Sequence, residues 1–154
     1  MFCFNNLFFN IRMSIYITNY TFFYIFNNTI FIFVGDHGVA GNAQAVYPPL
    51  WTEQRLTDLH VPLLFYAPGL LTPQRRTEVV SQIDVLPTIA GLLHRSYQNR
   101  TLGRDLLDPN TKEHFAFVTN ATDKIGIVTN DYYLVHQVNT GEEQLLPLSV
   151  ANDT

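Results

Sequence analysis

The chain has 154 residues, nine basic against thirteen acidic side chains for a net charge of −4, 47% hydrophobic residues and a single cysteine. No basic run exceeds Arg75-Arg76, which argues against nucleic acid as a partner, and Cys3 alone excludes an internal disulfide or a CxxC metal knuckle. The length suits one domain, but the composition is split: residues 1–34 hold nine Phe, six Ile, six Asn and three Tyr with Arg12 as their one charge.

That first stretch is apolar enough to raise a membrane span, yet Asn5, Asn6, Asn10, Arg12, Asn19, Asn27 and Asn28 interrupt it short of 18 apolar residues. It begins Met1-Phe2-Cys3-Phe4 with Arg12 in its middle, unlike a signal peptide with a basic start. A Phe/Ile/Asn/Tyr bias is what AT-rich DNA yields when read out of frame. Residues 1–28 are therefore set apart as an atypical segment, expected to be foreign to the domain behind them.

Asn28 to Val34 is continuously apolar at its end and predicts a fully buried strand. It delivers the chain to Gly35-Asp36-His37-Gly38, where a carboxylate and an imidazole emerge side by side. Adjacent side chains on a strand face opposite ways, so Asp36 and His37 can meet one ion only if the chain turns, which the flanking glycines would allow. The alternative is a loop in which Asp36 caps a turn and His37 is solvated. Residues 39–50 read as a loop, 51–59 as a short helix, and His60 opens a second apolar strand, 61–67, in which Pro62 is tolerable near the start or at an edge. Residues 77–80 allow a short strand. From Ser81 to His94, Ile83, Leu86, Ala90 and Leu93 recur at helical spacing and predict a helix laid on the sheet, with Ser81 or Asp84 as cap and Pro87 in its first turn. After a turn-rich stretch, 95–112, three strand-like runs (114–119, 125–129, 132–138) and the turn Asn139-Thr140-Gly141-Glu142 predict a small antiparallel unit. Sequons begin at Asn19, Asn27, Asn99, Asn120 and Asn152, informative only in a eukaryotic secretory setting.

Four ordered segments carry a resemblance: Gly35 to Gly38 (GDHG), His60 to Gly69 (HVPLLFYAPG), Ser81 to Leu93 (SQIDVLPTIAGLL) and Gly103 to Leu107 (GRDLL). With the closing stretch Tyr132 to Leu148 they resemble the C-terminal part of a sulfatase-family domain of the alkaline phosphatase superfamily, closest to phosphoglycerol transferases of the lipoteichoic acid synthase type. The resemblance implies an α/β fold: a partial sulfatase-like sheet with helices over residues 29–150, plus the small antiparallel unit. It implies an enzyme acting on sulfate or phosphate esters, as hydrolase or phosphoglycerol transferase, with the family's extracytoplasmic and often membrane-anchored setting.

Carried over by motif, Asp36 and His37 become metal ligands, and a carboxylate paired with an imidazole suits manganese or zinc better than calcium. His60 is a candidate substrate-binding residue, with hydrogen bonding to the loop of Asp36 or a second metal as the alternatives. Asp84 is expected to cap, Arg104 and Asp105 to hold their loop, and His94, His114 and His136 to sit at the surface or on strand faces. The family's hydroxyl nucleophile and its other ligands belong to sequence preceding Asn28. No residue here takes that place: Cys3 lacks the C/S-x-P-x-R context, and Thr21 and Thr29 stand too close to the Asp36 strand. The competing expectation is a catalytically silent remnant, or an accessory piece that needs a partner.

Overall fold

A computed structural model describes residues 2–3, 27–119 and 123–148. Most of the atypical segment (1 and 4–26), its Thr21 and the sequons at Asn19, Asn120 and Asn152 lie outside the described residues.

The chain forms an α/β layer followed by an antiparallel meander. In the layer, β1 (Phe2–Cys3) pairs in parallel with β3 (His60–Val61) and antiparallel with β5 (Val80–Ser81), while β2 (Phe31–Val34) runs antiparallel to β4 (Leu63–Tyr66). Pro62 separates β3 from β4, as a residue without a backbone donor would at a break in a ladder. Helix α1 (Pro49–Glu53) and a 3-10 turn (Leu56–Asp58) precede β3, and a second 3-10 turn (Gln82–Asp84) leads into α2 (Val85–Leu92). The strands β6 (Ala116–Thr119), β7 (Lys124–Val128), β8 (Tyr132–Gln137) and β9 (Glu143–Pro147) form the predicted antiparallel unit, in the order β6-β7-β8-β9.

Two apolar cores hold these parts together. The larger joins Trp51, Leu56 and Val79 to Ala116, Val118, Val128, Tyr133, Val135 and Leu148, so the segment from α1 to the first 3-10 turn lies on the meander. The smaller gathers Val61, Leu63, Val80 and Leu106 with Ile32, Phe65 and Val85, and seats α2 against the β3 and β4 strands.

Three expectations are corrected. The strand before Gly35 is not buried throughout: Phe33, 43% exposed, points to the face opposite Ile32 and away from the smaller core, and Val34, 42% exposed, stands at the end of the ladder. The strand expected over 77–80 is confined to Val80–Ser81. The helix does not lay its apolar stripe on the sheet, since Ile83, Leu86 and Leu93 are exposed while Asp84, Pro87 and Thr88 are buried. The reason is polar anchoring. Ser81 N donates to Asp84 Oδ2 (2.8 Å), one arm of a capping box, so both expected caps belong to one device. Arg104 N donates to Asp84 Oδ1 (2.8 Å), and Arg104 Nη2 pairs with Asp84 Oδ2 at 3.2 Å. Thr88 Oγ1 donates to Asp84 O (2.7 Å) and accepts from Leu106 N (3.0 Å). A buried carboxylate and hydroxyl must be satisfied, and that requirement turns the helix about its axis.

Candidate metal centre

The corner begins where β2 leaves its ladder. Gly35 N donates to Pro62 O (3.2 Å), the Gly35 carbonyl accepts from Gln82 Nε2 (2.6 Å), and Gly38 N donates to Asp58 O (2.8 Å). The flanking glycines serve close approach rather than a left-handed turn: positive φ among glycines of the described residues is confined to Gly69 and Gly141. A Cβ on Gly35 would lie 2.9 Å from Val61 Cβ; one on Gly38 would overlap the Thr57 carbonyl oxygen and lie 2.8 Å from that of His60. The corner thus rests directly on the backbone of residues 57–62.

Asp36 and His37 project from this seat into solvent, their side chains 91% and 75% exposed. His37 N donates to Asp36 Oδ1 (2.9 Å), turning the carboxylate back along the chain. His37 Nδ1 lies 2.7 Å from Gly38 O and Nε2 lies 3.8 Å from Asp36 Oδ2. The imidazole pKa is raised, by the Gly38 carbonyl first and the Asp36 charge second.

Members of the alkaline phosphatase superfamily generally use a divalent ion, and such an ion limits how far apart two of its ligands can stand. Two donors each about 2.0 to 2.2 Å from one ion can be no more than roughly 4.4 Å apart, and 3.8 Å is within that span. Donation of Nδ1–H to a backbone carbonyl leaves the Nε2 lone pair outward, the usual support of a ligating histidine. The pair fits as two ligands. Among the described residues, no group of three or more His, Cys, Asp or Glu side chains could hold an ion.

His60 is placed differently. Its Nδ1 is 3.2 Å from the Tyr47 hydroxyl, and its ring meets those of Tyr47 and Trp51 edge-on at 5.6 and 5.4 Å, while Tyr47 and Trp51 stack at 4.4 Å. Burial lowers its pKa to about 4, so the ring is neutral near pH 7. The backbone of His60 touches the corner through Gly38, whereas its ring braces α1. Arg104 holds its loop as expected, donating to Glu113 O (2.9 Å) and to Phe115 O, with its guanidinium 4.0 Å over the Phe115 ring. Asp105 Oδ1 accepts from Leu107 N (2.9 Å). His94 is exposed and His136 meets Glu143 across β8 and β9 (3.1 Å). His114 is half-buried, lining a shallow depression with Arg76 and Glu78.

Gln82, Tyr47 and Trp51 were missed from sequence. Gln82 lies inside the recognised SQIDVLPT run, but its partner is 47 residues away.

Residues 25–95 match the family model described as Sulfatase. The chain is 32% identical over 92 residues to Arylsulfatase K of Canis lupus familiaris, covering 59% of this chain and 16% of that protein. It is 24% identical over 124 residues to an arylsulfatase of Hemicentrotus pulcherrimus, covering 73% and 22%. The chain therefore spans about a sixth to a fifth of the length of these relatives. A solved structure of a protein in the alkaline phosphatase superfamily from Vibrio parahaemolyticus superposes with a TM-score of 0.54 at 23% identity, over 81% of this chain and 31% of that one. The stretch that carries Asp36, His37, His60 and Gln82 is thus sulfatase-like in sequence, set in a mixed α/β fold similar to that of an alkaline phosphatase superfamily member.

Proposed function

We propose that this chain supplies the Asp36–His37 ligand pair of a metal-dependent sulfatase-superfamily enzyme acting on sulfate or phosphate esters. The observation that carries this reading is the 3.8 Å approach of His37 Nε2 to Asp36 Oδ2, with Nδ1 oriented by the Gly38 carbonyl, inside the Sulfatase-matching segment. Manganese or zinc suits the pair better than calcium. Such an ion, when bound, neutralises charge on the transferred group and lowers the pKa of an oxygen nucleophile. Asp36 contributes the charge and His37 the neutral nitrogen. Because the ion competes with a proton for Nε2, binding strengthens as pH rises through the raised imidazole pKa. A sulfate ester is favoured over phosphoglycerol transfer because both curated relatives bear the name arylsulfatase. His60 contributes its carbonyl, which lies against Gly38 beside those of Thr57 and Asp58, and its ring, packed on Tyr47 and Trp51, is the candidate substrate contact.

A second reading, favoured by the two-ligand count among the described residues, is an accessory or catalytically silent piece that binds metal firmly only beside further ligands. Hydrolysis of 4-nitrophenyl sulfate and of bis(4-nitrophenyl) phosphate, each with added Mn²⁺, separates the two when wild type is compared with Asp36→Ala. A rate lost in Asp36→Ala supports the enzyme; equal background rates in both chains reject it for this polypeptide and leave the accessory role.

A further inference from the structure

We infer that Gln82 is the positioning residue of the Asp36–His37 corner. The Asp36 and His37 side chains are 91% and 75% exposed, so little packing fixes them and their directions come from the backbone beneath them. Two backbone clamps flank that backbone. On the far side Gly38 N is held by Asp58 O, a contact between main chains that no side-chain change removes directly. On the near side both polar groups of Gly35 are engaged: its N–H by Pro62 O and its carbonyl by the amide of Gln82 at 2.6 Å. The Gly35 carbonyl belongs to the peptide that enters Asp36, so the plane from which the first ligand departs is set by a side chain 47 residues later.

The clamp is itself built to stay in place. Gln82 opens the 3-10 turn directly after Ser81, whose N–H is tied to the fully buried Asp84, and Asp84 is tied to Arg104. The polar anchoring that turned the helix's apolar stripe outward also fixes the start of the Gln82 side chain. Glutamine suits the task because an uncharged amide donates to a carbonyl, whereas a carboxylate of the same length would oppose it. Supporting partners of this kind change metal affinity by about 10- to 100-fold when removed from metal sites. The metal part of the inference rests on the proposed function, but the positioning part does not.

The test compares wild type with Gln82→Leu, with Gln82→Glu, which keeps length and loses the donor, and with Asn130→Ala. The last removes an acceptor for Val79 N (2.8 Å, 51 residues apart) that ties the layer to the meander without touching the corner. Backbone ¹⁵N heteronuclear NOE values at Asp36 and His37 are measured without metal, and Mn²⁺ affinity is measured by electron paramagnetic resonance. Both Gln82 variants are expected to lower the NOE at these two amides and to weaken Mn²⁺ about tenfold; Asn130→Ala is expected to lower the melting temperature and leave both readouts unchanged. Should Gln82→Leu not fold, Gln82→Glu carries the comparison. Wild-type values in a folded Gln82 variant, or an equal change in Asn130→Ala, overturn the inference. An ordered wild-type corner that binds no Mn²⁺ overturns the metal reading instead and leaves the positioning role standing.

Discussion

Between Phe31 and Leu107 no strand exceeds four residues, and every buried polar side chain among the described residues (Ser81, Asp84, Thr88) is found in one run of the sequence. From Ala116 to Leu148 the strands reach six residues, the buried side chains are apolar, and β6 alternates buried and exposed positions strictly. The meander is held by periodicity: a one-residue slip would expose Val118, Val128, Tyr133 and Val135 together. The layer is held by a few polar anchors at which hydrogen bonds converge. A layer fixed at points can leave its remaining loops at the surface, and that is where the candidate ligands stand.

The largest test of this contrast is Arg104→Met. It strands the Asp84 carboxylate, which is fully buried, and also releases the carbonyls of Glu113 and Phe115 at the entry to β6. Breaking a buried pair from one side typically costs about 3 to 5 kcal/mol, read as a lower urea midpoint. Adding Asp84→Asn to Arg104→Met should recover part of the loss. If Arg104→Met costs less than a single overpacked position in the meander, the layer is not held by its anchors.

The next effect is acid-dependent and belongs to the seam between the regions. The folded His60 pKa of about 4 lies below the ordinary 6.5. Between those values the unfolded chain binds a proton that the folded chain does not, so stability is complete above about 6.5 and falls as pH drops toward 4. The full loss is at most roughly 3 kcal/mol, reduced by the solvation of the ring's exposed edge. Glu78, its pKa lowered by the hydrogen bond from Arg76, acts in the same direction, with stability lost as pH falls through its folded value. Urea unfolding at pH 7.5 and 4.5 should show a smaller difference for His60→Gln than for wild type. An unchanged difference would mean that the ring is more open to water than its place beside Tyr47 and Trp51 implies.

A smaller loss is expected inside the meander. Gly126→Ala would bring a Cβ within 2.5 Å of Leu134 O and of the Tyr133 ring, so β7 and β8 must part locally. Overpacking of this kind costs about 1 to 3 kcal/mol. Thermal unfolding checks it, with Gly141→Asn at the exposed turn as a control that creates no such contact.

The same contrast explains what could be read from sequence. The three runs predicted as strands over 114–138 became β6 to β8 within two residues, because alternation and Asn/Asp-rich turns are local signals. The GDHG corner was legible as a motif, yet the reason for its glycines was not. It lies in the carbonyls of Thr57 and His60, some twenty residues on, which no local pattern encodes. Periodicity misplaced the face of α2 for a related reason. Asp84 and Thr88 carry little weight in an apolar pattern, but once buried each demands partners, and Arg104 and Leu106 supply them across the fold. Gln82 reads as an ordinary polar residue at a helix start until its reach to Gly35 is seen.

The smallest expected effect on stability is the most informative about the site. Asp36 is 91% exposed, and among the described residues the hydrogen bond its carboxylate accepts comes from its neighbour's amide. Asp36→Ala should therefore change unfolding free energy by no more than about 0.5 kcal/mol, the range of surface substitutions away from anchors. The same substitution should abolish Mn²⁺ binding, since it takes the only carboxylate from the pair. A residue expected to add so little to folding nonetheless stands between two backbone clamps on a glycine seat, backed through Gln82 by a buried ion pair. If Asp36→Ala instead raised stability clearly while leaving Mn²⁺ binding intact, the corner would be a strained turn whose carboxylate serves no ion, and the contrast between an anchored layer and a periodic sheet would describe folding alone.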